Sequence, residues 1–210
     1  METTLKEIFD LVIKGGRGEV EAKVREALDA KFPPEEILNK GLIGAMAEVG
    51  RRFECGEFYV PEMLIAARAM QAGLAILRPY LIEQGVKTRG RVVIGTVKGD
   101  LHDIGKNLVA MMLEGAGYEV IDLGTDVPPE KFANAAREHG AELVALSALL
   151  TTTMQNMKST IEAIEDLGLR DKVRIMVGGA PVTDAFAKEI GADGYARDAS
   201  RAVALAKTMT

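Results

Sequence analysis

Apolar residues in the first part of the chain recur every three or four positions, the signature of helices with one buried face. Leu5, Ile8, Phe9, Val12 and Ile13 form the first stripe, and Gly15-Gly16 stops it. Val20, Val24, Ala27 and Leu28 form a second, ending near Phe32. Pro33 and Pro34 then open a third helix, since proline is tolerated in a first turn. Its stripe runs through Ile37, Leu38, Leu42, Ile43, Met46 and Val49 to a break at Gly56. A fourth starts near Pro61 and carries Met63, Leu64, Ala67, Met70, Leu74 and Leu77. Four helices joined by short loops predict a small bundle over residues 1–86. The polar, glycine-flanked stretch Gly85–Gly90 reads as a linker, with its core at 87–90.

From Arg91 the period changes. Short β-branched runs, Val92–Val97, Tyr118–Leu123, Leu143–Ser147, Val173–Val177 and a weak Gly194-Tyr195, alternate with helical patterns. Those patterns fall near 104–116, 128–139, 153–167, 182–190 and 198–208. Strands alternating with helices predict an α/β domain over residues 91–210, a doubly wound, flavodoxin- or Rossmann-like parallel sheet of five strands. Right-handed crossovers place helices on both faces. The expected strand order is 2-1-3-4-5, which puts the switch point, where ligands bind in such sheets, between strands one and three.

Composition narrows the function classes. The net charge of -5 argues against a nucleic-acid footprint, which is basic. Cys55 is the single cysteine, so no disulfide framework and no Cys-x-x-Cys metal site exists, in keeping with a reducing cytosol. The N-terminus has acids within a short amphipathic pattern, unlike a signal peptide. No apolar run approaches transmembrane length on this reading, so a soluble, cytoplasmic protein without membrane partners is expected.

The stretch Gly95–Lys106, GTVKGDLHDIGK, joins the first strand of the sheet to its first helix. It carries Asp100, His102, Asp103 and Gly105, and His102 is one of two histidines in the chain. A lone turn histidine ordinarily bonds its neighbours, Asp is a common turn residue, and glycine is common wherever backbones pack closely. The position at the switch point favours ligand chemistry instead. A ligating histidine gives its other ring N–H to a carboxylate, and Asp100 is spaced to accept it. One histidine does not hold a labile metal ion alone. The metal would arrive already held in a macrocycle, with His102 as axial ligand.

DLHDIG, residues 100 to 105, resembles the cobalamin-binding signature of vitamin B12 proteins. In that family the cofactor's dimethylbenzimidazole leaves cobalt, the motif histidine replaces it, and the nucleotide tail is buried in the α/β domain. The resemblance assigns His102 as the cobalt ligand and Asp100, Asp103, Ile104 and Gly105 to the cofactor site. SALLT, with Ser147, Leu149 and Thr151, resembles the segment bordering the tail. Thr153 stands where the family often has a serine bonded to the motif aspartate, a departure that keeps the hydroxyl. Gly178 and Gly179 of GGAP resemble the paired glycines whose missing side chains leave room for the tail. Gly50–Met63, GRRFECGEFYVPEM, resembles the helical cap over the reactive corrin face in cobalamin-dependent methionine synthase, with Tyr59 and Met63 as its candidate contacts.

Taken whole, the chain resembles the free-standing corrinoid proteins of anaerobic methyltransferase systems. The resemblance implies a cobalamin cofactor whose cobalt cycles between Co(I) and methyl-Co(III), and a carrier rather than a complete enzyme, with no catalytic residue of its own. One partner would load the methyl group from a methylamine, methanol, a methoxylated aromatic or a betaine. A second methyltransferase would pass it to a folate-type or thiol acceptor, and a reductive activation protein would restore Co(I). The rivals are the cobalamin-binding part of an adenosylcobalamin isomerase, a B12-sensing module, and a flavodoxin-like domain with a chance motif. The helical bundle argues against the first. The methionines at helical spacing read chiefly as core, Glu48, Glu54, Glu57 and Glu62 as solvated helix charges and caps, and His139 as a charge at a helix C-terminus.

Overall fold

The helices and strands follow the apolar periods closely. In the computed structural model, which describes residues 2–210, α1 (Glu2–Lys14) and α2 (Arg17–Asp29) are separated by Gly15 at φ +75°. Pro34–Glu36 (α3) continues through a π-helical stretch, Ile37–Ile43, into α4 (Gly44–Glu54), and α5 spans Val60–Glu83. The chain divides into two units: one runs to Lys87 and includes Glu114–Gly117, the other comprises Thr88–Leu113 and Tyr118–Thr210.

In the helical unit the stripes meet as their spacing demands. Leu5, Ile8 and Val12 of α1, Val20 and Val24 of α2, and Met70 and Leu77 of α5 are buried. A glycine in a helix interior costs about 1 kcal/mol relative to alanine. Gly73 of α5 has a packing reason: a Cβ there would lie 2.9 Å from Val20 Cγ1 and 3.1 Å from Leu42 Cδ2. The π stretch was not visible in the pattern; it is packed by Ile8, whose Cγ2 lies 3.0 Å from where a Cβ on Gly41 would stand. At 24 residues α5 is long and apolar enough by composition to cross a membrane, which corrects the expectation that no run approaches that length. It packs against α1, α2 and α4 within the bundle, with Ala66, Ala67, Ala69, Met70 and Leu77 buried, as a core helix does.

Among the helix charges, Glu48 accepts from both Arg51 (2.8 and 2.9 Å) and Arg52 (2.8 Å). Those hydrogen bonds, Arg51 first, hold its carboxyl down at about 2. Glu62 accepts the Tyr59 N–H at 3.0 Å, tying the start of α5.

The second unit is a parallel sheet in the order β2-β1-β3-β4-β5, as expected. Its strands are β1 (Arg91–Thr96), β2 (Glu119–Asp122), β3 (Leu143–Ser147), β4 (Arg174–Gly178) and β5 (Gly194–Ala196). Its helices are α6 (Ile104–Gly115), α7 (Pro129–His139), α8 (Gln155–Asp166), α9 (Asp184–Glu189) and α10 (Ala199–Met209). Val93, Val144, Leu146, Ile175 and Val177 from the sheet share one core with Phe132 of α7 and Met157, Ile161 and Ile164 of α8. Gly95 lets Phe132 rest on the sheet, since a Cβ would stand 2.7 Å from its ring. The register pairs Thr96 with Ser147 and Ser147 with Gly178. The loops after β1, β3 and β4 therefore leave the sheet side by side.

Gly178 and Gly179 are required by this packing. A Cβ on Gly178 would lie 2.9 Å from the Ala196 carbonyl oxygen, and one on Gly179 only 1.9 Å from that of Ala148. Gly179 also adopts φ +127°. At both positions the chain's own backbone occupies the place a side chain would take. Gly124, at φ +84° with nothing near its missing Cβ, gives a control. Gly124→Ala should cost about 1–2 kcal/mol through φ alone. Gly179→Ala should cost roughly 3 kcal/mol or more, because backbone must also shift. Urea midpoints for the two variants measure the difference, and equal losses would show that the Ala148 contact is not limiting.

Candidate functional site

The site grows from the end of β1. Asp100 N–H donates to the Val97 carbonyl at 3.1 Å, closing a turn with Gly99 at φ +82°. The turn drives Asp100 inward, where it is wholly buried, and returns the chain outward through Leu101 and His102 to the start of α6.

A buried carboxylate must be fully hydrogen-bonded. Oδ1 of Asp100 accepts the His102 backbone N–H at 3.1 Å and pairs with His102 Nδ1 at 2.7 Å. Oδ2 accepts the Leu149 and Leu150 N–H groups at 2.8 and 3.1 Å and the Thr153 hydroxyl at 2.7 Å. Burial pushes the Asp100 carboxyl up. The hydrogen bonds from His102, Thr153 and the backbone outweigh burial and hold it below the usual carboxylate range. An ionised carboxylate can only accept, so Nδ1 of His102 carries the proton and Nε2 is the nitrogen left for a ligand. The His102 side chain is 51% exposed. The arrangement is a histidine with one nitrogen fixed inside and the other open to a ligand.

The surroundings suit a large, flat, partly apolar ligand. Leu101 and Ile104 flank His102 in sequence and are 72% and 76% exposed, and Leu149 and Leu150, whose amides bond Asp100, are 44% and 41% exposed. Exposed leucine and isoleucine side chains gathered in this way mark an interaction surface. Gly105 lies in the first turn of α6 with nothing within 4 Å of its missing Cβ and no positive φ. Neither backbone conformation nor packing within the chain accounts for a glycine there. Among the described residues no group of three or more His, Cys, Asp or Glu gathers as a metal site.

The other expected residues divide clearly. Asp103 is exposed; its carbonyl accepts the Asn107 N–H at 2.7 Å and its carboxylate the Asn107 side chain at 3.1 Å, so it anchors α6. Ser147 is half-buried and its carbonyl accepts the Val97 N–H at 3.0 Å; Thr151 is exposed. Tyr59 is 67% exposed at the start of α5. Met63, which helical spacing reads as core and the resemblance offers as a cap contact, is wholly buried. It shares the buried stripe of α5 with Ala66, Ala67 and Met70, and a core position leaves it nothing to present.

Several residues at this site were not anticipated. The Leu150 amide joins that of Leu149 on Asp100. Thr96 donates to the His102 carbonyl, Asp126 accepts from Gly99, and Asn156 donates to the Lys98 carbonyl. Lys106 is nearly buried and pairs with Asp122 at 2.5 Å. A signal existed for one of these: Asp126 sits in the turn-like run GTDVPPE after β2.

Comparison with known proteins agrees with this geometry. Family models described as B12 binding domains match residues 90–204 and, separately, residues 4–78. The dimethylamine corrinoid protein of Methanosarcina barkeri is 47% identical over 209 residues, covering 99% of this chain and 98% of that protein. A corrinoid protein of Desulfitobacterium hafniense is 42% identical over 205 residues, covering 96% of this chain and 95% of its own length. Among solved structures, a cobalamin-binding protein from Desulfitobacterium hafniense superposes with a TM-score of 0.79 at 31% identity, covering 98% of each chain. A chain of the methanol:cobalamin methyltransferase complex from Methanosarcina barkeri gives 0.88 at 29% identity, covering 99% of this chain and 79% of that one. The cofactor is therefore a corrinoid, and the chain belongs to the corrinoid proteins with B12-binding domains.

Proposed function

We propose that this methyl-carrying corrinoid protein serves methylamine metabolism, with dimethylamine as the leading donor. The observation that carries the reading is the Asp100–His102–Thr153 trio beside the bare Gly105, in a chain nearly half identical along its length to a dimethylamine corrinoid protein. A substrate-specific methyltransferase would load the carrier. A second methyltransferase, with a thiol or folate-type acceptor, would unload it, and a reductive activation protein would rescue oxidised carrier. The single exposed cysteine and acidic surface suit a cytoplasmic setting. The family match over residues 4–78 weighs against the isomerase reading, which accounts only for the α/β unit.

When bound, the corrinoid supplies a cobalt centre able to accept and release a methyl group. The residues of this chain hold and tune that centre. His102 would hold the metal through Nε2. Asp100 fixes the ring's tautomer and makes the imidazole more electron-rich, as carboxylate partners of ligating histidines do. Thr153 and the two leucine amides keep the carboxylate ionised and aimed. Leu101, Ile104, Leu149 and Leu150 would give the macrocycle an apolar bed, and Gly105 would let it come close to the backbone.

Reconstitution with a corrinoid, followed by transfer assays with dimethylamine, methylamine and methanol in the presence of their methyltransferases, tests the reading. Dimethylamine should be turned over at least about tenfold faster than methanol, the factor that about 1.4 kcal/mol of selectivity gives. A preference for methanol would refute the substrate assignment. His102→Ala should still fold and take up corrinoid, but nitrogen coupling to cobalt in the paramagnetic resonance spectrum of the loaded, one-electron-reduced protein should vanish. Persistence of that coupling would remove His102 as ligand.

The charge of Asp100 also links stability to pH. Its folded-state pKa is depressed, so its stabilising contribution is complete above the unfolded carboxylate value and is lost as pH falls through the folded value. Asp100→Asn should cost about 1–3 kcal/mol at neutral pH. The gap to wild type should narrow below about pH 4, where the unfolded Asp protonates. Denaturant midpoints across pH measure this, and a gap independent of pH would mean that the charge of Asp100 contributes nothing.

A further inference from the structure

The loop bearing Asp100 and His102 is gripped by side chains that lie outside the Asp–His–Thr trio. In the turn Val97–Asp100, Gly99 takes the positive φ that such turns require at their third position. The central peptide of a turn of this kind, here Lys98–Gly99, is the part free to flip. Both of its ends are held. Asn156 Nδ2 of α8 donates to the Lys98 carbonyl at 2.8 Å, and the Gly99 N–H donates to Asp126 Oδ1 at 2.7 Å. Asp126 takes a second hold, its own N–H donating to the Asp100 carbonyl at 3.0 Å. From beneath, the hydroxyl of the wholly buried Thr96 donates to the His102 carbonyl at 2.9 Å.

Asp126 is an exposed residue at φ +53°, a conformation uncommon outside glycine. Its carboxylate and its amide are both directed at the turn before the histidine. Thr96, at the last position of β1, directs a buried hydroxyl at the backbone of the histidine itself. A ring nitrogen bonded to a buried carboxylate keeps that bond only while the backbone carrying the ring stays within a few tenths of an ångström of its place.

We propose that Asp126 and Thr96 are positioning residues for His102: they fix its loop backbone so that the ring stays in the Nδ1–H tautomer against Asp100 and leaves Nε2 open, before any cofactor binds. Their importance to function rests on the reading of His102 as the cobalt ligand. Their action on the ring does not, and it is measurable in the protein without cofactor.

Nitrogen-15 NMR of the ring nitrogens at about pH 9, where histidine is neutral, reports the tautomer directly. With two histidines in the chain, His139→Gln assigns the signals. Wild type should show a protonated Nδ1 and a bare Nε2. Asp126→Ala and Thr96→Val should each lower the ratio of this tautomer to the other roughly fivefold, the change that one ordinary hydrogen bond makes in an equilibrium. Asp126→Asn, which keeps an oxygen acceptor and tolerates the backbone conformation, should restore the ratio. Asp126→Gly, which relaxes φ but has no acceptor, should not. A merely structural role would lower the denaturation midpoint of the variants while leaving the tautomer ratio of the folded protein unmoved. An unchanged ratio in folded Asp126→Ala, at an exposed position that does not threaten folding, overturns the proposal whatever Thr96→Val does. That outcome leaves the ligand reading standing. Cobalt–nitrogen coupling that survives in His102→Ala removes the ligand reading and leaves the tautomer result intact.

Discussion

One buried carboxylate organises the ligand edge of the sheet. Leaving a charge in a protein interior without partners costs far more than any single contact returns, so Asp100 can be charged there only if its surroundings are arranged around it. Its two oxygens gather donors from the loop after β1 and from the loop after β3, including two successive backbone amides and one hydroxyl. The same carboxylate therefore closes the crevice between two loops and sets the state of a histidine. Structure and chemistry at this edge depend on a single interaction.

The sheet supplies the geometry that makes this convergence possible. In a parallel sheet whose order reverses between β1 and β3, the loops after those strands turn to opposite faces and leave a crevice. The register of Thr96 with Ser147 and of Ser147 with Gly178 brings the strand ends level. Close approach of backbones completes the edge: at Gly179 the chain passes so near the Ala148 carbonyl that no side chain fits. The glycines after β4 are thus part of the frame, whereas Gly105 has open space where a side chain would stand.

The helical unit obeys simpler physics. Its stripes bury against one another, its mid-helix glycine sits where α2 approaches α5, and its polar residues pair on the surface. Met63 illustrates how burial decides role. Its helical spacing reads as core, and its place on the inner stripe of α5 puts it there.

Periodicity alone determined most of the architecture, because alternation of apolar and polar residues is a local consequence of which face is buried. The four helices, the five strands and the strand order follow from it with connection rules, and the spacing of Asp100, His102 and Gly105 marked the loop after β1 as the candidate site. Thr153 was reachable because a hydroxyl stood at the matching position. Tertiary structure alone decided the π stretch at Ile37–Ile43 and the backbone packing that requires Gly178 and Gly179. It also decided the hold of Thr96, Asp126 and Asn156 on the histidine loop. The physical reason is common to these cases. Each depends on how close two segments distant in sequence come, and that distance is set by the packing of whole elements, which no local pattern of residues encodes.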